Sequence, residues 1–339
     1  MGETGDVNLL GIHCLVWAGG TTPAEIERMV TQSAAAGFGL LELSLHDMDT
    51  LDVDHARELL GEAGLQVSCS RGLAFDADVS STDPAVVNRG SQLLQASLAT
   101  TAALGGKVFT GAPYSALGKY PGPPTERGRA NAISVVKSLA QEAQGLGISV
   151  GLEVINRYET NVINTAADAL RFADAVAEDN VFIHLDTYHM NIEEDDMVRP
   201  VHMVGERLGY VHISENQRGY LGSGHIDFTS FLHALADVGF DGPITYESFS
   251  SMVVAKELSN NLAVWRDMWD DGEDLARHAH RYLSVHLAGA CSSVAARCRG
   301  SSCGSSRRLR GDEDGVTVGT GSAIVPSLGR LAQLVRALA

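Results

Sequence analysis

Eight short apolar runs, each followed by a longer segment whose apolar residues recur at helical spacing, fill the chain from about residue 7 to residue 286. Nothing else in the 339 residues narrows the fold as far. Strands that alternate with helices are joined by crossovers, and a crossover brings the chain back parallel to the strand it left. The expected strands are residues 8–14, 38–43, 66–69, 107–110, 148–154, 181–186, 209–213 and 243–247. These runs are too apolar to leave one face in water, as befits parallel strands covered on both sides. Eight such repeats fit a closed (β/α)8 TIM barrel better than an open sheet, so a single α/β barrel is the expected architecture.

Helix ends are marked too. Thr22 before Pro23, Asp83 before Pro84 and Asp227 before Phe228 read as N-caps. Gly37, Gly64, Gly147 and Gly239 stand where helices should stop. After about Ala288 the pattern ends: residues 290–319 are rich in Ser, Gly and Arg and show no period. The chain from Leu287 holds seven arginines, three acids, no lysine and three of the five cysteines. The expected division is a barrel domain over residues 1–288 and a low-complexity, disordered C-terminal extension over residues 289–339. Within that extension, residues 325–339 could form a short basic amphipathic helix with Leu328, Leu331, Leu334 and Val335 on one side.

A formal net charge of −17 repels a phosphate backbone, which argues against a nucleic-acid partner. The start of the chain, with Glu3 and Asp6, lacks the basic and apolar character of a signal peptide, and no apolar run approaches a membrane span. A cytoplasmic protein with no membrane partner is expected. Cys14, Cys69, Cys291, Cys298 and Cys303 form no CxxC pair or regular framework, so reduced thiols are expected.

In a barrel of this kind the chemistry gathers at the C-terminal ends of the strands. Four consecutive expected strands end in a metal-competent side chain: Glu153 in GLEV, Asp186 in HLDTYH, His212 in YVHISE and Glu247 in ITYESF. One such residue would mean little, since a lone carboxylate there usually caps the next helix and a lone His is usually structural. Several carboxylates converging on one barrel mouth repel unless a cation joins them. Three carboxylates and one imidazole make a hard, oxygen-rich set, suited to one divalent ion per subunit. Mn²⁺ or Co²⁺ is expected, with Mg²⁺ as the alternative. Around them, NRYE supplies Arg157 and Glu159, DTYHMN supplies His189, and ENQRGYLGSGHIDF supplies Arg218. For Glu159 and Arg218 the competing reading is a surface ion pair of little worth. Trp17 and Phe249 are candidates for apolar walls against a substrate, with core packing as the alternative.

The runs GLEVINRYETNVINTAADAL, HLDTYHMNIEEDDM, YVHISENQRGYLGSGHIDF and GPITYESFSS resemble the D-tagatose 3-epimerase and D-allulose (D-psicose) 3-epimerase family, within the xylose-isomerase-like barrel superfamily. The resemblance covers residues from about 7 to about 286. It implies that Glu153, Asp186, His212 and Glu247 bind the metal and that Glu153 and Glu247 are also the catalytic acid and base. It implies further that Glu159, His189 and Arg218 hold the C1 to C3 end of a ketose, and that the protein is a homodimer or a dimer-built homotetramer. The substrate would be a free ketose, in pairs such as D-fructose with D-allulose or D-tagatose with D-sorbose, epimerised at C3 through a cis-enediolate. The GAPYSALGKY stretch beyond strand four, the loop around residues 74–81 and the tail depart from the family pattern, which leaves the preferred ketose open.

Rival expectations are an aldose-ketose or hydroxypyruvate isomerase and an inosose dehydratase on the same barrel. From a different class comes a non-catalytic sugar-binding barrel, which would have no need of both glutamates. An endonuclease-IV-like phosphodiesterase would need a basic groove and more His ligands. GYLGSG lacks the Lys of a phosphate loop, so Gly222 and Gly224 read as turn residues.

Overall fold

The structure, a computed structural model, describes residues 8–254 and 256–302. Eight parallel strands close into a ring in chain order: β1 (Leu10–His13), β2 (Leu40–Ser44), β3 (Gln66–Leu73), β4 (Val108–Ala116), β5 (Ser149–Glu153), β6 (Val181–Asp186), β7 (Leu208–Ile213) and β8 (Ile244–Tyr246). Their crossovers carry α1 (Pro23–Ala35), α2 (Val53–Ala63), α3 (Pro84–Ala103), α4 (Glu126–Gly145), α5 (Ala166–Val176), α6 (Thr187–Glu193), α7 (Arg199–Val204) and α8 (Phe228–Asp237). After β8 come α9 (Lys256–Asn261) and α10 (Gly272–Ser302). The expected barrel is thus the observed one.

Local chemistry starts and stops these elements. Thr22 and Glu25 close a capping box on α1, while Asp83 and Asp227 accept hydrogen bonds from the first turns of α3 and α8. Gly64 ends α2 at φ 67°, in the left-handed region where a side chain would be strained, and Gly37, Gly147 and Gly239 also have positive φ. Helices present one apolar face to the strands. In α8, Phe228, Phe231, Leu232 and Leu235 are all buried. On Gly151 of β5 a Cβ would lie 2.3 Å from the Thr110 hydroxyl, so glycine leaves room for the polar contact between Thr110 and His184 inside the ring.

Two boundaries differ from expectation. Strands β3 and β4 run to Leu73 and Ala116, so the first six residues of GAPYSALGKY are strand rather than loop. Their extended ends still pair, Leu73 with Ala116, across a register shift, and that long-range pairing outweighs the local breakers Gly111 and Pro113. The other correction concerns the boundary at residue 288. It falls inside α10, which continues through Ser302, and Leu287 and Ala290 are buried against the core. The Ser- and Gly-containing stretch is helical there because its preceding turns are anchored by Leu275, Ala279 and Leu283. The amphipathic helix expected over residues 325–339 lies outside the described residues. No helix among the described residues is long and apolar enough to cross a membrane.

Candidate active site

Parallel pairing sets the height of each side chain in the ring, and it places Asp186 beside His212 and Glu153 beside His184. Glu247 follows β8 directly, its N–H donating to the Ile213 carbonyl at 3.1 Å. One donor atom from each of Glu153, Asp186, His212 and Glu247 lies within 4.8 Å of the other three, and all four residues are buried. Ligands on opposite sides of an ion with bonds near 2.1 Å sit about 4.2 Å apart, so this spacing matches the coordination shell of one small divalent cation. A second grouping, Glu153 with His184 and His212, shares two of these members.

His212 tests the fit. Its Nε2 donates to Glu42 Oε2 at 2.8 Å. Its Nδ1 is buried without a hydrogen bond, yet lies 3.3 Å from Glu153 Oε1, 3.5 Å from Glu247 Oε1 and 4.0 Å from Asp186 Oδ2. A buried nitrogen aimed at three carboxylates, with its other face fixed by a fourth, is how a metal-binding imidazole is held. Glu42 is itself fully buried. It accepts from the Tyr210 hydroxyl at 2.8 Å, which in turn contacts Ser68 and Thr245.

Charge within the cluster is unevenly shared. Burial raises Asp186 well above the usual carboxylate range and raises Glu153 as well. Burial acts the same way on Glu247, but the Arg218 guanidinium and then His212 hold it well below its ordinary value. His212 is pushed down by burial and up by Glu42 and Glu247, and ends well above a free imidazole. As the side chains stand, a proton on His212 supplies positive charge that a divalent ion would supply in its place.

The remaining polar residues surround this cluster in a cavity of about 600 Å³ at the mouth of the barrel. Arg218 is buried, with a left-handed main chain at φ 61°. Its guanidinium donates to Glu247, to Asp186 at 3.3 Å and to the Ser214 hydroxyl at 2.7 Å, and it lies over the Tyr188 and Phe249 rings. His189 Nδ1 accepts from the main-chain and side-chain nitrogens of Asn156 at 3.2 and 2.8 Å, which leaves the ring proton on Nε2. That Nε2 is 3.6 Å from Asp186 and 3.8 Å from Glu153. Glu159 lines the cavity, accepts from Asn156 Nδ2 at 2.8 Å and is raised by burial. Phe249 lines it as expected.

Two expectations are not met. Trp17 is 1% exposed, donates its indole N–H to Ser33 of α1 at 2.9 Å and packs in the core, away from the cavity lining. The chain turns into a short 3-10 helix after β1, and this carries Trp17 behind the strand end. Arg157 points outward and is engaged by Glu193 at 2.7 Å. In Trp17's place β1 offers His13, whose Nε2 lies 3.7 Å from Glu42 and 4.0 Å from Glu247 and whose ring meets Phe249 edge-on. The HCLVW run held both residues, and only the strand's end point decides between them.

Comparison with known proteins gives one consistent picture. Residues 30–284 match the xylose isomerase-like TIM barrel family. An L-ribulose 3-epimerase of Methylomonas sp. (strain DH-1) is 47% identical over 273 residues, 80% of this chain and 96% of that one. A ketose 3-epimerase of Arthrobacter globiformis is 48% identical over 278 residues, 82% of this chain and 96% of that one. Among solved structures, a D-allulose 3-epimerase from Methylomonas sp. in complex with D-allulose superposes with a TM-score of 0.81. It is 46% identical, with 83% of this chain and 98% of that chain covered.

Proposed function

The chain belongs to the xylose isomerase-like TIM barrel family, and from that premise we propose that it is a divalent-metal-dependent ketose 3-epimerase. The reading is carried by the convergence of Glu153, Asp186, His212 and Glu247 on one point of a cavity that also holds His189 and Arg218. The substrates are free ketoses in the D-fructose/D-allulose or D-tagatose/D-sorbose pairs.

The C3 hydrogen of a ketose is a weak acid, and its removal leaves negative charge on the C2 oxygen. A divalent cation held by the four residues, Mn²⁺ or Co²⁺ with Mg²⁺ as a substitute, would stabilise that charge as a Lewis acid. His189, with its proton on Nε2, donates to a substrate oxygen. Glu159 and Arg218 hold the C1 to C3 hydroxyl groups. Epimerisation needs a proton taken from one face and delivered to the other, so two carboxylates are required. Glu153 ends β5 and Glu247 follows β8, so the two carboxylates approach the bound sugar from different sides of the ring. One removes the C3 proton, the other supplies one to the opposite face, and the roles exchange in reverse. The same reading makes the protein a cytoplasmic homodimer or homotetramer, with residues beyond the barrel taking no part in the reaction.

Metal-replete incubation with D-fructose, D-allulose, D-tagatose and L-ribulose, followed by chromatography, should yield the C3 epimers. Dialysis against EDTA should abolish turnover, and Mn²⁺ or Co²⁺ should restore it. Full activity in protein free of metal, or solvent exchange at C1 in place of C3, would refute the proposal.

A further inference from the structure

One buried cation bordering the cavity takes no part in the reaction above. Arg71, near the end of β3, is 8% exposed, and Arg71 has no carboxylate within salt-bridge distance among the described residues. Its Nη1 donates to the Leu45 carbonyl and to the Ser97 hydroxyl of α3 at 3.3 Å. Its Nε is buried with no partner, and Nη2 has none among the described residues. A buried guanidinium with neutral acceptors alone is costly, and an anion would offset that cost further. Arg218, by contrast, is matched by Glu247 and Asp186.

The cavity extends to Arg71 as a lobe between the ends of β2 and β3 and the start of α3, lined also by Ser44, His46, Arg89 and Gln92. Both nitrogens of His46 are taken, by Ser44 and by the Gly19 carbonyl, and burial lowers its pKa. Among the described residues that line the cavity near Arg71, the one carboxylate is that of the exposed Asp76, whose main-chain carbonyl accepts from Arg89. The cavity is therefore acidic beside β5, β6 and β8 and basic beside β3, which stands across the ring from β7. Its volume exceeds what one hexose fills.

We propose that this lobe is an anion subsite in which Arg71, assisted by Arg89, receives an oxyanion group of the phosphate class. That group is carried by the far end of a ketose seated on the catalytic cluster or arrives as a free anion. The inference rests on the epimerase reading for the first source only. Arg71 acts on specificity and touches none of the reacting atoms.

The test uses the full-length, metal-loaded protein, with inorganic phosphate as probe. Phosphate coordinating the metal would affect wild type and variants alike, so the difference between them isolates the lobe. Phosphate affinity should fall at least tenfold in Arg71→Gln and largely persist in Arg71→Lys, which keeps the charge should the neutral variant fold poorly. Arg89→Gln, at the surface, should give a smaller loss. Turnover of a ketohexose 6-phosphate, with a ratio of its kcat/KM to that of the free ketohexose that drops tenfold in Arg71→Gln, identifies the substrate as the source. Phosphate binding that depends on Arg71 without such turnover identifies a free anion. Equal phosphate affinity in wild type and Arg71→Gln overturns the proposal. Because free-ketose turnover is read in the same preparations, its absence would count against the epimerase reading alone.

Discussion

Glu42, a carboxylate buried in the barrel interior, decides which nitrogen of His212 faces the catalytic cluster. Nothing in its surroundings on β2 marks it in the sequence: it sits inside an apolar run, and its partner is 170 residues away. The four residues at consecutive strand ends were legible because they recur at the same structural position. Glu42 and His13 were missed because their meaning comes only from closure of the ring. Glu42→Gln should lower metal affinity roughly 10- to 100-fold while the fold persists, as loss of a partner to a metal-binding imidazole does elsewhere. Competition against a chelator measures it, and unchanged affinity would reduce Glu42 to core packing. The acid–base pair makes a sharper demand. Glu247→Gln and Glu153→Gln, with metal content verified, should each slow epimerisation at least about 100-fold. Each should still allow exchange of the C3 hydrogen of one epimer with solvent deuterium. Interconversion near the wild-type rate in either variant would leave the two as ligands only.

Among the elements, all eight strands were legible from short apolar runs, and the caps of α1, α3 and α8 from single residues. The misreadings occurred where a local breaker met a distant partner, as at Gly111 and Pro113 of β4. In α10 a helix outlasts its own composition because Leu283, Leu287 and Ala290 are buried. This sets two truncations apart. Ending the chain after Ser302 should leave the melting temperature and turnover within error of the full chain. Ending it after Ala288 removes Ala290 and the helix around it, and should lower the melting temperature by a few degrees, the scale of about 1 kcal/mol in a protein of this size. Equal stability of the two, read by calorimetry, would show that the helix beyond residue 288 contributes nothing.

For the molecule as a whole, protons and metal compete. His212, Asp186 and Glu153 all have folded values raised above their unfolded ones. Each therefore contributes stability that is fully present below its unfolded pKa and lost as the pH rises through its folded value. Buried His13, His184 and His189 are lowered by burial and act in the opposite sense, whereas His212, Asp186 and Glu153 make the metal-free cluster lose stability as the pH rises above about 4. A divalent ion replaces those protons, so its stabilisation should grow over the same range. At 100 times the dissociation constant it would reach about 2.7 kcal/mol. Thermal melts with and without Mn²⁺ at pH 5.5 and 8 would show it, and an equal shift at both would contradict it. The repeat count, and with it closure of the ring, was legible from the sequence, whereas the register in which β1 meets β8 was not, because no local pattern encodes it.

That pairing also imposes a timetable on synthesis. Leu10 meets Ile244 and Ile12 meets Tyr246, so the first strand waits, with one edge unpaired, for the last to be translated. At roughly 5–20 residues per second, the interval between the emergence of Glu153 and that of Glu247 is of the order of 5–20 s. Until Glu247 emerges, a growing sheet would have two free edges and the cluster would lack at least one of its four members. Nascent chains stalled before residue 244 should accordingly engage holding chaperones and bind no Mn²⁺, and those stalled once β8 and α10 have emerged should do the reverse.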